Sequence, residues 1–248
     1  MNYHFEDFTE TEYRNLVRQA ITGWEPIPFT EFQKPGRVCL WRHDIDLSPH
    51  RACRLAEIES EENLRATYYV LLHSQFYNFL EREIRQLLRR IAAFGHYIGL
   101  HFDPTYYDPA ELAGGGLPER MQEEKSLLET LLGVKVATFS YHNSDLIPPE
   151  FKLDAVELAG MINASNRYIQ QHFGYCSDSN GYWRYGRLGD VLRSAKHERL
   201  HVLTHPDWWV PEPMSPRDRI SRCIDGRARR QHEWYDSTLR QLGRTNVR

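Results

Sequence analysis

The chain has 248 residues, with 31 basic against 34 acidic side chains and a formal net charge of −3 when the histidines are neutral. Hydrophobic residues make up 41% and charged ones 26%, the balance of an ordinary globule long enough for a substantial core. Near-neutral charge argues against a general polyanion-binding surface, and no apolar run approaches the ~20 residues of a membrane span.

In chain order, the first 25 or so residues read as an added helix. The start, MNYHFEDFTETEYRN, is acidic where a secretory signal would be basic and then apolar. Val38 to Trp41 forms a short strand ending in Arg42-His43-Asp44-Ile45-Asp46. Ser48-Pro49 supplies an N-cap and a first-turn proline for a helix through about Glu61. Ala66 to Leu72 is aromatic and β-branched, as a buried strand should be. Phe76, Phe79, Leu80, Ile84, Leu87, Leu88 and Ile91 recur at helical spacing, which predicts a helix over 76–94 closed by Gly95. His96 to His101 is the next strand. Pro118 opens a helix ending at Gly133, and Val136 to Ser140 is a fourth strand running into Tyr141-His142-Asn143. Further strands are expected at Met161–Ala164, Tyr175–Ser177 and Leu200–Thr204.

Six or seven strands separated by helices imply an α/β fold with a mostly parallel sheet, either a barrel or open and doubly wound. No repeat or low-complexity tract divides the chain, so one domain over 1–248 is expected, with its core at about 38–209. Four cysteines without a CxxC pair suit free thiols in a reducing cytoplasm. Residues 215–248 hold nine arginines against four acids. Their helix-like spacing reads as a solvated face or an oligomer contact rather than a nucleic-acid tail.

Several strands end in groups that bind metals or move protons: Asp44 and Asp46, then His101, His142, Asp178 and His205. In parallel α/β folds the strand C-termini converge on one face, which carries the active site. Carboxylate and imidazole together suit a borderline divalent ion, zinc foremost, with a position left for water.

At these residues the sequence resembles the NodB-homology polysaccharide deacetylases, the carbohydrate esterase family 4 group. Arg42-His-Asp-Ile-Asp46 is similar to the first motif in its Asp-x-Asp form. There the earlier aspartate is the base and the later one holds the metal. Gly95-His-Tyr-Ile-Gly-Leu-His101 resembles the second motif, whose final histidine is a ligand. Ser177-Asp-Ser-Asn-Gly-Tyr-Trp183 and Leu203-Thr-His205 are similar to the fourth and fifth, the latter carrying the general-acid histidine. The resemblance implies a distorted (β/α) barrel with helical additions at both termini.

Two positions depart from the pattern. Thr105 stands where the second motif has another histidine, and Phe139-Ser-Tyr-His-Asn143 lacks the third motif's arginine. His142 is the expected replacement ligand, giving the metal set Asp46, His101 and His142; the alternative is a substrate hydrogen bond through His142 or Asn143. Arg184, or Arg42 beside the base, would stand in for the arginine. Asp44 would then take the proton of an attacking water, and His205 would protonate the departing amine, supported by Asp178 or Asp207. Trp183, Trp208, Trp209, Tyr106 and Tyr107 could stack on a sugar.

The expected activity is metal-dependent hydrolysis of a carbon–nitrogen amide bond, N-deacetylation of an amino sugar or polysaccharide precursor. The alternative is a degenerate relative that binds carbohydrate or a partner without catalysis, for which Thr105 speaks.

Overall fold

The computed structural model describes residues 3–247. Among them the sheet has nine strands: β1 (Glu25–Pro26), β2 (Val38–Ile45), β3 (Thr67–Val70), β4 (Tyr97–Phe102), β5 (Thr138–Tyr141), β6 (Glu157–Leu158), β7 (Met161–Asn163), β8 (Gly174–Ser177) and β9 (Arg199–Thr204). Their order is β6-β7-β5-β4-β3-β2-β9-β8, with β1 beside the start of β2. Every pairing is parallel except the β6–β7 hairpin. The α-helices are α1 (Glu10–Gly23), α2 (Pro49–Glu61), α3 (Arg82–Ala93), α4 (Pro109–Leu112), α5 (Gly116–Leu132), α6 (Arg167–His172), α7 (Leu188–Ser194) and α8 (Pro216–Gln241). No helix is long and apolar enough to cross a membrane.

Alternation along the strands sorts the side chains into two layers. Cys39, Trp41 and Ile45 of β2, with Ile98, Leu100 and Phe102 of β4, face the main core beneath the helices. Val38 and Leu40 face inward with Tyr69, Phe29 and Phe173 and form a second, smaller core at the N-terminal end of the strands. Further along the same inward row come Arg42 and Asp44, where the strand ends become polar. The sheet curls enough for Arg42 Nη1 to donate to Ser165 Oγ beyond β7 at 3.4 Å. No ladder joins β8 to β6 or β7 among the described residues, so the barrel is distorted and left open there.

Several expected boundaries shift for physical reasons. The first strand runs on through Ile45 rather than stopping at Trp41, because its polar residues find buried partners on both faces. The helix expected over 76–94 begins only at Arg82. Before it, the Tyr77 hydroxyl is held by the backbone of Ile45 and Leu71, and Asn78 Oδ1 accepts the Leu80 N–H. Those bonds replace a helical turn. Helix α2 starts at Pro49 as predicted, with the Ser48 hydroxyl accepting the Arg51 N–H at 3.3 Å. Helix α5 ends at Gly133, whose φ of 72° is the left-handed conformation that glycine adopts without strain. The two-residue strands β1 and β6 carry too little pattern to be read from sequence.

One buried feature lay outside the sequence reading. Glu59 of α2 is fully buried and receives the hydroxyls of Tyr13 and Tyr68, the latter at 2.6 Å, with His43 Nε2 also at 2.6 Å. Thr204 Oγ1 lies 2.7 Å from His43 Nδ1, and Trp41 Nε1 donates to Tyr13 at 3.1 Å. Burial would raise the Glu59 carboxyl, but the charge and hydrogen bond of His43 hold it below the usual range. The network joins α1, α2, β2, β3 and β9 directly behind the inward polar row.

Candidate metal and acid–base site

The inward rows of β2, β4 and β5 end at the same edge of the sheet, with β3 between β2 and β4, and their last polar residues meet. Asp46 follows β2, His101 lies within β4, and His142 follows β5 with its backbone N–H donated to Phe102 at 2.8 Å. One ligand atom from each of Asp46, His101 and His142 lies within 4.8 Å of the other two. His101 Nε2 is 3.3 Å and His142 Nδ1 3.5 Å from Asp46 Oδ1, and the two ring nitrogens are 3.2 Å apart.

The surroundings aim these atoms at one another. Ser140 donates its hydroxyl toward Asp44 Oδ1 at 3.5 Å, so at 2.7 Å it accepts a hydrogen bond from the His101 Nδ1–H. That tautomer leaves a lone pair on Nε2, toward Asp46. Asn143, in the left-handed region at φ 43°, places its amide 2.7 Å from His142 Nε2 and leaves Nδ1 facing inward. Asp46 Oδ1 is buried and accepts no hydrogen bond. A buried carboxylate oxygen without a donor, faced by two imidazole nitrogens, suits a divalent cation in chemistry and in number of donors. Burial would raise the Asp46 carboxyl, yet His101 and His142, when protonated, hold it well below the usual carboxylate range. His142 is raised despite its burial, because Asp46 faces it.

Two further pairs flank the cluster. Arg42, itself buried, donates from Nη2 to Asp44 Oδ2 at 3.0 Å, and Asp44 Oδ2 lies 3.7 Å from His101 Nε2. Asp178 accepts from His205 Nδ1 at 2.6 Å, from the His205 backbone N–H at 3.0 Å, and from Trp209 Nε1 at 2.9 Å. His205 Nε2 then points to Asp46 Oδ2 at 3.8 Å. Burial alone would lower this imidazole; Asp178, then Asp46 and Asp44, raise it to about 10. Of the two acids expected to support His205, Asp178 is the partner. Asp207 instead accepts the Leu47 N–H at 3.2 Å, and burial and the charge of Asp46 raise its carboxyl to about 7.

No protein-family model matches the chain, and no curated protein matches it. Solved structures do. The chain is similar to a family 4 carbohydrate esterase from Bacillus anthracis at 16% identity, over 95% of this chain and 88% of that one, with a TM-score of 0.44. It is also similar to the chitin deacetylase of Colletotrichum lindemuthianum at 14% identity, over 82% and 86%, with a TM-score of 0.43. A third is a Streptococcus pyogenes deacetylase in complex with acetate, at 13% identity over 83% of each chain, with a TM-score of 0.40.

The remaining sequence candidates fall in different places. Thr105 sits in the turn after β4 and spends its hydroxyl on Asp103 Oδ1 at 2.6 Å. Tyr106 is exposed and stacks on His73, with ring centroids 3.5 Å apart. Trp183 donates its indole N–H to Asp7 at 2.9 Å and stacks on Phe8, so it serves the docking of the N-terminal segment. Trp208 is buried in the main core with its indole N–H unpartnered. Arg184 is exposed and lies over Tyr185, whereas Arg42 reaches the aspartate. Sequence reasoning missed Ser140 and the part Trp209 plays in orienting Asp178. Ser140 stands one inward position before His142 on β5, a period-2 signal too small to read alone.

Proposed function

We propose that this chain is a metal-dependent deacetylase acting on an N-acylated amino sugar. The observation that carries the reading is the convergence of Asp46, His101 and His142 around a buried carboxylate oxygen that accepts no hydrogen bond. Asp46, His101 and His142 would hold the ion, which when bound supplies Lewis-acid polarisation of a carbonyl and makes a water easier to deprotonate.

The chain's own groups supply the proton transfers. Asp44, fixed by the Arg42 guanidinium and the Ser140 hydroxyl, takes the proton of the attacking water as the new carbon–oxygen bond forms. On the other side of the cluster, His205 gives a proton to the amine nitrogen as the carbon–nitrogen bond breaks. Asp178 keeps His205 protonated and, through the Trp209 indole, is itself held in place. Base and acid thus answer to separate partners, Arg42 for one and Asp178 for the other. All four cysteines are free, which fits a reducing compartment and a soluble substrate.

Elemental analysis of purified protein, with acetate release from N-acetylated amino sugars, tests the reading. One divalent ion per chain and metal-dependent acetate release are expected, with Asp46→Ala losing both. Folded protein that binds no divalent ion defeats it. Protons compete for the same nitrogens, and His142 is raised above the ordinary ~6.5 of imidazole. The apparent metal affinity, measured by competition with a chelator, should therefore fall on acidification, beginning above that value.

The His205–Asp178 pair gives a second test. A histidine raised to about 10 stabilises the fold fully below the ordinary ~6.5 and loses that contribution as pH rises through about 10. As the acid it should place the alkaline limb of the kcat profile above ~6.5. Asp178→Asn should shift that limb to lower pH, measured by kcat from pH 5 to 10; an unmoved limb removes His205 as the acid.

A further inference from the structure

A cavity of about 1330 Å³ lies between the amino-terminal turns of α2 and α3 and one face of α8. None of Asp44, Asp46, His101, His142, Asp178 and His205 lines it, but chain neighbours of Asp46 and His205 do. Leu47 and Ser48, which follow Asp46 directly, line it, as does Asp207, two residues past His205. Asp207 Oδ2 and the Leu47 N–H join these two stretches.

Charge distinguishes this cavity. Seven arginines line it against three carboxylates. Two of those acids are already neutralised, Glu81 by Arg227 and Glu83 by Arg230. Arg51 is spent on Glu10. Arg82, Arg219, Arg222 and Arg229 have no carboxylate partner among the described residues. Arg219 is 1% exposed and committed elsewhere: it donates to the carbonyls of Gly181 and Phe5 at 3.4 Å and lies over the Phe8 ring. Arg82, Arg222 and Arg229 are the cations left for a ligand, and a phosphate oxygen would take charge-assisted hydrogen bonds from them.

The backbone adds to the same field. Pro49 and Arg82, the first residues of α2 and α3, both line the cavity, so two helix amino termini present partial positive charge to it. On α8 the lining includes Gly226, where an added side chain would meet no heavy atom within 4 Å. Space, cationic side chains and helix termini coincide beside the donor cluster.

We propose that this cavity is a phosphate-recognition site, and that the N-acyl substrate carries a phosphate or pyrophosphate held there while its acyl group reaches Asp46, His101 and His142. The second half rests on the deacetylase reading; the first does not.

Inorganic pyrophosphate probes the site itself, titrated calorimetrically into the full chain at low salt. Binding is expected, weakened about tenfold by Arg222→Ala and about tenfold by Arg229→Ala, the scale of one charge-assisted hydrogen bond each. Both side chains are exposed, so their loss leaves the core intact. Gly226→Trp, at a mid-helix position where glycine is a poor helix former, should fill the cavity and abolish binding. Asp46→Ala should bind pyrophosphate like the unmodified chain. Folded protein that ignores pyrophosphate, or binding indifferent to all three cavity substitutions, overturns the site. Single-stranded RNA bound more tightly than pyrophosphate, through the same arginines, overturns the small-ligand assignment. Acetate release from N-acetylglucosamine and from its 1-phosphate tests the substrate half. A preference of about tenfold in kcat/KM for the phosphorylated sugar, lost in Gly226→Trp, supports it. Equal rates, or no release from either, overturn that half while pyrophosphate binding still decides the site.

Discussion

Asp44→Asn should retain the divalent ion and lose acetate release by roughly 10²–10⁴-fold, the usual contribution of a positioned base. The substitution keeps the shape of the side chain and one oxygen, enough for either the Arg42 or the Ser140 hydrogen bond but not both, and removes the site that takes the proton. It also leaves the buried Arg42 without its counter-charge, so stability should fall by about 3–5 kcal/mol. Rates must therefore be normalised to folded protein, and metal content measured on the same sample. Turnover within tenfold of the unmodified chain, with metal retained, would remove Asp44 from the role of base.

An equally large effect on stability is expected at Glu59, behind the inward polar row. Glu59→Gln takes away the carboxylate that receives His43, Tyr13 and Tyr68 in a site with no exposed atoms. An amide can accept on one side only and presents its NH₂ to groups that already donate. A loss of ~3–5 kcal/mol is the expected scale for breaking a buried charged network. For a chain of this size that corresponds to roughly 6–20 °C in Tm. Thermal unfolding of the metal-free protein measures it without interference from ligand binding. A change below ~1 kcal/mol would mean that the network contributes little beyond filling space. Its pH dependence has a definite sign. A carboxyl held below its ordinary value stabilises the fold above about 4.3 and loses that contribution as pH falls through the depressed value.

Much of the site was legible because strand alternation and strand ends leave marks in the sequence. Asp44 and Asp46 are two apart and so share a face, and His101 and His142 each sit where an apolar run gives way to polar residues. Ser48-Pro49 and Gly133 marked helix ends through local backbone chemistry alone. Arg184 lies exposed over Tyr185, since sequence distance says nothing of reach; Arg42, on the same strand face as Asp44, needed only the period of two. Trp183 answers to a different cause. Its indole answers to Asp7 and Phe8, residues in an N-terminal segment whose docking no local pattern announces.

By itself, then, the sequence determined the alternation of strand and helix, the caps, and which polar side chains stand at strand ends as candidates for chemistry, because these depend on periodicity and on neighbours within a few residues. Tertiary structure alone decided that Asp178 rather than Asp207 holds His205, that Thr105 turns onto Asp103, and that Glu59 meets His43 behind the sheet. Those choices follow from the curl of the sheet and from the direction each loop leaves its strand. Both are set by packing between residues far apart in the chain, for which no local pattern exists.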